Sequence, residues 1–318
     1  GPRSVITPVT ALLAALLLCR LAASGAAYWA EYENVCADTV IEGSVTDIYG
    51  ETTGNLAVSG ITLNTLLRSG YIGDMTISKS AVYYFEGIAV SGGAAQDIPA
   101  FVFPTGFAHE TFVDHLLKGS SVVFTNSLDK SPEFYYSSFV ETEFLDGYDL
   151  SVFTSGTDSE SPVPCLLSTS FIAENGIEFG DTIRILAYNS SRFAELDLLV
   201  VGSYLKAGVK DNIYCPLSGY IDQDLLTVDE SDSTYQTLSR ITVDSADFTL
   251  ADASKLSDFK DFLEACGYSG VNDLNAKRVF VLLDDRSFND TVETLSRQIR
   301  YAGVLYPILY VLKGAAGL

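Results

Sequence analysis

Residues 164–221 decide the fold, and they read PCLLSTSFIAENGIEFGDTIRILAYNSSRFAELDLLVVGSYLKAGVKDNIYCPLSGYI. Ser168 is placed to cap a short helix that stops at Gly176, because a serine hydroxyl accepts from free N–H groups at a helix start and glycine adopts the left-handed conformation at its end. Gly180 and Asp181 then predict a turn into a strand. The apolar, β-branched run that follows predicts a second strand pairing back onto the first.

Outside this stretch the sequence also mixes helices and strands. Leu256, Phe259 and Leu263 lie at helical spacing and form one apolar stripe. The predicted helices are Thr62–Arg68, Gly106–Leu117, Ser168–Asn175, Ser254–Cys266 and Ser287–Ala302. The predicted strands are Val40–Thr46, Ala81–Phe85, Ile98–Phe103, Ser121–Asn126, Asp181–Ala187, Leu196–Tyr204, Leu238–Asp244 and Arg278–Leu283. The pattern therefore predicts an α+β fold.

The N-terminal run Val5–Ala30 is apolar except for Arg20. As a helix it is long enough to span about 30 Å of hydrocarbon. Arg3 precedes the run and acidic residues follow it, which predicts a cytoplasmic N-terminus and an external remainder, with Tyr28 and Trp29 at the outer interface. A cleaved signal peptide is the alternative, since small residues precede Tyr28.

The C-terminal run Tyr301–Leu312 is also uncharged and is followed by Lys313. It is too short to cross a bilayer, which needs about 20 apolar residues. One interpretation is a buried core helix or strand. The other is the beginning of a second membrane span, entered directly from the amphipathic helix predicted at Ser287–Ala302.

The composition excludes several classes of protein. The 318 residues include 41 acidic and 19 basic side chains, a net charge of −22, and 47% are hydrophobic. Such hydrophobicity excludes intrinsic disorder, and so acidic a surface argues against nucleic-acid binding. No series of long apolar runs is present, so a polytopic membrane protein is excluded.

The sequence carries no recognisable catalytic motif. His109 and His115 are six residues apart, whereas a zinc-protease helix needs a spacing of four. There is no phosphate-binding glycine loop, and the Gly267–Gly270 segment is one residue short of a nucleophile elbow. The acidic segment Asp222–Asp232 lacks the EF-hand spacing and is interpreted as a solvated loop, with calcium the less favoured alternative. We predict no catalytic, metal or cofactor site.

The cysteines leave their redox state open. They are Cys19, Cys36, Cys165, Cys215 and Cys266, and no C-x-x-C pair occurs among them. With Cys19 in the apolar run, the other four could form two disulfides in an oxidising compartment or remain buried thiols.

The central stretch resembles the extracytoplasmic domain of MacB/FtsX-type ABC transporter permeases. The residues that carry the resemblance are Ser170, Ala173, Gly176, Gly180, Asp181, Thr182, Gly202, Tyr204, Ile213, Pro216 and Leu217. Asp38–Val45, Leu66–Tyr71 and Leu283–Pro307 resemble flanking segments of such domains in permeases of Gram-positive bacteria. The resemblance thus covers nearly the whole chain, and it implies structural roles for Ser170, Gly176, Gly180, Asp181, Gly202, Tyr204 and Pro216.

The resemblance implies a two-lobed fold with helical stalks at both ends. Residues 31–105 and 235–287 would form a discontinuous first lobe, and residues 106–234 an inserted β-rich second lobe. Residues 5–30 would form a membrane and stalk helix, and residues 288–318 a stalk that enters a second, incomplete membrane segment. Residues 31–300 would then lie outside the cytoplasm.

The resemblance also implies a mechanical function. Such permeases work as dimers with a separate cytoplasmic ATPase, and ATP-driven motion of their membrane helices is transmitted to the external domain. Expected roles are export of a peptide, lipid or drug, or contact with a cell-envelope partner. The chain itself would bind no cofactor or nucleic acid, and both of its ends would contact the lipid bilayer.

A secreted ligand-binding protein is the alternative function, and a secreted hydrolase is less favoured. If the chain binds a ligand or partner, exposed aromatic side chains are the expected contacts. The candidates lie in a stretch without a clear core period, and they are Tyr135, Tyr136, Phe139 and Tyr148.

Overall fold

The structure is a computed structural model that describes residues 3–46, 58–102, 120–131, 134, 140–154, 162–189, 192–205, 211–268 and 279–301. Its helices are α1 (Arg3–Asp38), α2 (Gly60–Leu67), α3 (Thr169–Asn175), α4 (Tyr235–Leu238), α5 (Leu256–Cys266) and α6 (Arg286–Arg300). Its strands are β1 (Glu42–Thr46), β2 (Val58–Ser59), β3 (Ile72–Ser91), β4 (Ala94–Ala95), β5 (Ser121–Thr125), β6 (Glu141–Phe144), β7 (Val163–Ser168), β8 (Thr182–Asn189), β9 (Arg192–Leu205), β10 (Ile213–Pro216), β11 (Thr242–Val243), β12 (Ser245–Leu250) and β13 (Phe280–Asp284). The predicted α+β class is confirmed.

One large mixed sheet organises the described part of the chain. Its strand order is β13-β1-β12-β3-β5-β10-β7-β9-β6, with β4 paired to β3 and β8 paired to both β3 and β9. The β10–β5 and β7–β9 pairs are parallel, and the others are antiparallel. β3 is 20 residues long and holds the sheet together, because it pairs with β12, β5 and β8 in turn.

Side chains alternate between the two faces of this sheet, as strand geometry requires. Cys165, Leu167 and Cys215 point into the larger core, which α5 and α2 help to cover. Leu166 and Tyr214 point the other way, into a smaller core that includes Phe134 and Phe153. The central strands β7 and β10 are therefore buried on both faces.

Strands from the two predicted lobes occupy opposite ends of the sheet. β13, β1, β12 and β3 belong to the predicted first lobe, and β5, β10, β7, β9 and β6 to the predicted inserted lobe. They meet where β3 pairs with β5 and β8. The division into two lobes stays a prediction.

Most of the predicted helices and strands that lie within the described residues are confirmed, but two predicted strands are wrong. Residues 98–102 form no strand, because Ile98 crosses above Gly87 of β3 and Pro99 cannot donate to a ladder. In the segment predicted as Leu238–Asp244, Leu238 ends α4 and only the two residues of β11 are extended. The predicted helix Gly106–Leu117, with His109 and His115, lies outside the described residues.

One finding concerns the predicted membrane anchor directly. Throughout the described ranges, no helix is both long enough and apolar enough to cross a membrane.

Candidate functional site at the paired terminal helices

The topology brings the two terminal helices together. α1 leads into β1, and β1 pairs antiparallel with β13, so that Glu42 lies opposite Asp284. β13 in turn leads into α6, which therefore starts where α1 ends and runs back along it. α1 and α6 therefore lie side by side.

An aromatic contact anchors this helix pair in the core. The rings of Tyr32 on α1 and Phe288 on α6 lie 6.5 Å apart, and Phe288 is only 6% exposed. Tyr28 stacks on Tyr32 one turn earlier, at 6.0 Å. Burial, followed by the hydrogen bond with Cys36, raises the pKa of Tyr32 to about 12. The phenol is thus neutral at physiological pH and serves as a packing group.

α6 is strongly two-sided, with one face on the domain and α1 and the other in water. Val292 packs against the main core one turn beyond Phe288. A groove of about 640 Å³ opens between the helices, and its lining is Val35, Asp284, Arg286, Ser287, Asp290, Thr291, Thr294, Leu295 and Gln298. This lining is mixed in charge, since it includes the acidic Asp284 and Asp290 and the basic Arg286.

The motif around α3 shapes the backbone rather than presenting chemistry to solvent. The Ser168 hydroxyl accepts from the amide of Phe171 at 3.1 Å, which caps the helix as predicted. Gly176 ends it in the left-handed conformation, with φ of 63°. Ser170 donates to the carboxylate of Asp211 at 2.8 Å, and Ser168 donates to the same carboxylate oxygen. These bonds fasten α3 to the start of the segment leading into β10.

Asp181 is 2% exposed and closes the turn that follows α3. Its carboxylate accepts from the amides of Glu178 at 2.9 Å and Gly92 at 3.3 Å. The adjacent Gly180 has φ of 91°, a conformation that favours glycine, and its amide donates to Val200. Such a carboxylate, satisfied by backbone donors, is a structural group.

The motif residues on β9 and β10 also make close contacts with neighbouring strands and loops. The Tyr204 hydroxyl donates to the Asn212 carbonyl at 2.7 Å, and the Asn212 side chain accepts from the Ser121 amide at 2.9 Å. A Cβ at Gly202 would lie 2.4 Å from the Glu143 carbonyl oxygen, so only glycine allows β6 to approach β9 here. Pro216 closes β10 opposite Thr125. Together these residues join β5, β6, β9 and β10.

The predicted contact residues are only partly placed. Tyr148 is half-buried and packs against the smaller core. Tyr135, Tyr136 and Phe139 lie outside the described residues.

The acidic segment Asp222–Asp232 makes local contacts. Asp222 and Asp232 each accept from a nearby backbone amide, and Asp229 pairs with Arg68. In the ranges that the structure describes, no group of three or more His, Cys, Asp or Glu side chains could hold a metal.

Sequence reasoning missed an ion pair between a buried lysine and a partly exposed aspartate. Lys79 is 6% exposed, and its Nζ lies 2.7 Å from Asp244 Oδ1. The second oxygen of Asp244 accepts from the amide and the hydroxyl of Ser80, at 2.7 and 2.8 Å. A lysine inside a strand pattern is the one signal that could have indicated it, but its partner is 165 positions away.

The cysteines are free thiols in this structure. Cys165 and Cys215 are fully buried, and this burial raises the pKa of both thiols, which excludes them as ready nucleophiles.

Comparisons with solved structures give two similar domains. The periplasmic region of MacB from Actinobacillus actinomycetemcomitans shares 13% identity and a TM-score of 0.36, over 82% of this chain and 95% of that one. A domain of a protein described as a permease, from Porphyromonas gingivalis, shares 11% identity and a TM-score of 0.32, over 77% and 86%. Scans of family models and of curated proteins give no match.

Proposed function

We propose that the chain is the extracytoplasmic part of an ABC transporter permease of the MacB/FtsX type, without catalytic chemistry of its own. A separate cytoplasmic ATPase drives the membrane helices of a permease dimer. The terminal helices α1 and α6 carry that motion to the sheet. The domain then acts on a peptide, lipid or drug substrate, or on a partner in the cell envelope.

The antiparallel pairing of α1 with α6 carries this proposal. A domain that responds to membrane helices needs a mechanical connection, and Tyr32 and Phe288 supply one between the helices and the main core. Both helices continue directly into neighbouring strands of the sheet, β1 and β13. A displacement of either helix would therefore reach the sheet without an intervening flexible link.

The chemistry of the remaining conspicuous residues supports a non-catalytic function. The carboxylates of Asp181 and Asp211 accept from backbone amides or serine hydroxyls. The buried thiols of Cys165 and Cys215 are protonated at neutral pH, because burial raises their pKa. These groups hold strands and turns together, as a force-transmitting domain requires.

The topology is tested by labelling intact cells with a membrane-impermeant thiol reagent. Asp149 is exposed, and we would place the target there as Asp149→Cys, after changing Cys19, Cys36 and Cys266 to Ser. The proposal predicts labelling of cell-bound protein without lysis. Labelling only after lysis would contradict it, and recovery from the medium of protein beginning near Tyr28 would favour the secreted alternative.

The ATPase partner is tested by purifying the tagged chain from membranes of its source in mild detergent. The proposal predicts ATP hydrolysis that co-elutes with the chain and is absent from an untagged preparation. Purification of intact chain without any ATPase activity would contradict the predicted partner.

A further inference from the structure

We infer that Arg20, Arg297 and Arg300 form a belt that binds the phosphate groups of the outer lipid leaflet and fixes the height of the domain above the membrane. The inference rests on the proposed function, since it needs α1 and α6 to enter a bilayer. It goes beyond that function because it names the residues that set the boundary, and it moves this boundary away from Trp29.

Helix geometry places the three arginines close to one level. Tyr32 and Phe288 are in contact, which aligns the two antiparallel helices at that height. Arg20 lies twelve residues before Tyr32, and Arg300 twelve residues after Phe288, so each is about 18 Å from the contact. Arg297 is about 14 Å away by the same measure.

Charge is separated along this helix pair. Arg20 is the only charged residue between Arg3 and Glu31, and all the acidic residues of α1 lie on the domain side. On α6, Glu293 is the last acidic residue and pairs with Arg297. The charged residues of α6 beyond Glu293 are Arg297 and Arg300, and both are exposed, as is Arg20. A positive end on a chain of net charge −22 is complementary to lipid phosphate.

Large apolar side chains are exposed beyond the belt in the part of the chain that the structure describes. Leu12, Leu16 and Leu18 of α1 are 63%, 56% and 67% exposed, and Tyr301 follows Arg300 at 54% exposed. Leucines exposed to water lose the free energy of burial, which contact with hydrocarbon would restore. Arginine beside such a surface extends its guanidinium to the headgroups, and tyrosine is typical of the same interface. Arg20 is then a boundary residue rather than a charge within the span.

A membrane boundary at the arginine belt places Trp29 in water. It lies nine residues from Arg20 toward the domain, about 14 Å above the belt. Alongside that part of α1 runs the half of α6 that carries Glu293, Thr294 and Gln298, which hydrocarbon would not accommodate. The initial expectation that Tyr28 and Trp29 mark the interface is replaced by this lower boundary.

The experiment uses the single tryptophan of the chain as a depth probe. The full chain is reconstituted in phosphatidylcholine–phosphatidylglycerol bilayers, with and without lipids brominated on the acyl chains. A second protein carries Leu16→Trp with Trp29→Phe, which moves the probe below the belt. We expect the Leu16→Trp probe to lose about half of its emission or more to bromine, and Trp29 to lose little, because only the former reaches the acyl chains.

Two other outcomes would distinguish failure of the arginine belt from failure of the proposed membrane attachment. Equal quenching of both probes would overturn the belt and leave membrane attachment standing. Quenching of neither would overturn the belt together with the proposed membrane attachment.

Substitutions then test the arginines themselves. The triple variant Arg20→Leu, Arg297→Leu and Arg300→Leu should sink the helices, shifting Trp29 emission to the blue and exposing it to bromine. A matched triple, Arg240→Leu, Lys255→Leu and Arg286→Leu, removes the same charge elsewhere and should leave Trp29 unchanged. Replacing the three belt arginines by Lys should also leave it unchanged. If the Leu triple folds by circular dichroism and Trp29 does not move, the arginines do not set the height.

Discussion

Phe288 should be the main attachment of α6 to the domain, and Phe288→Ala is the variant that tests this. Its ring is 6% exposed, packs in the main core and faces Tyr32 at 6.5 Å. Truncation of a buried phenylalanine costs about 3–5 kcal/mol through lost burial and the cavity left behind. Because Phe288 lies at the edge of the core, beside the groove, we expect a value near the lower end, about 3 kcal/mol.

Urea unfolding of the full chain in detergent, followed by circular dichroism, measures this loss. An m-value of about 3 kcal/mol per molar urea converts it to a midpoint shift of about 1 M. Leu282→Ala is the matched control, because Leu282 is 59% exposed on the adjacent β13 and should cost less than about 0.5 kcal/mol. A double-mutant cycle with Tyr32→Ala should give a coupling of about 1 kcal/mol. If Phe288→Ala costs no more than Leu282→Ala, the helix is not anchored as described.

Three further predictions concern the sheet. Gly202→Ala should destabilise the chain by about 2 kcal/mol because its Cβ would strike the Glu143 carbonyl, whereas Gly25→Ala, with open space around it, should be neutral or stabilising; equal effects in urea unfolding would refute this. Asp244→Ala should cost more than Lys79→Met, by about 2 kcal/mol, because it leaves a buried ammonium without its partner, and the reverse order in urea unfolding would contradict that account. Burial raises the pKa of Cys165 and Cys215, so the unfolded state loses these protons first and the free energy of unfolding should fall above about pH 8.5, by up to about 2.7 kcal/mol per pH unit. A Cys165→Ala, Cys215→Ala variant should flatten that slope in urea titrations at several pH values, and an unchanged slope would show that other groups cause it.

The elements that sequence predicts well are those whose signals are local. Leu256, Phe259 and Leu263 form the buried stripe of α5, as their spacing indicates. Ser168 and Gly176 bound α3 because capping depends on neighbouring residues alone. α6 was likewise predictable, because its apolar residues recur at helical spacing along one face.

The strands that sequence reasoning missed depend on distant partners. β12 alternates buried Ala246, Phe248 and Leu250 with polar residues, a short pattern that is fixed by pairing with β1 and β3. β10 is four residues long, and its extended conformation is fixed by pairing with β5 and β7. Local propensity carries little information about such strands.

In the candidate site, too, some features could be predicted from the sequence and others could not. The family resemblance implied helical stalks at both ends, whereas the contact of Tyr32 with Phe288 that holds α1 against α6 required the structure. The hydrogen bond of Tyr204 to Asn212 spans only eight residues, but Asp181 accepts from the Gly92 amide 89 positions away, and Gly202 lies against the carbonyl of the distant Glu143. Spacing in the sequence does not encode such contacts.

The pairing of α1 with α6 along their length is the central claim, and the distance between spin labels tests it most directly. One label pair, Glu31→Cys with Asn289→Cys, lies near the domain, and another, Leu21→Cys with Gln298→Cys, lies near the far end. Cys19, Cys36 and Cys266 are changed to Ser, while the buried Cys165 and Cys215 remain. Packed helices have axes about 8–10 Å apart, so both label pairs should give similar distances of about 20 Å or less. A distance at the far end more than about 10 Å longer than that near the domain would mean that the helices splay apart, and would contradict the account.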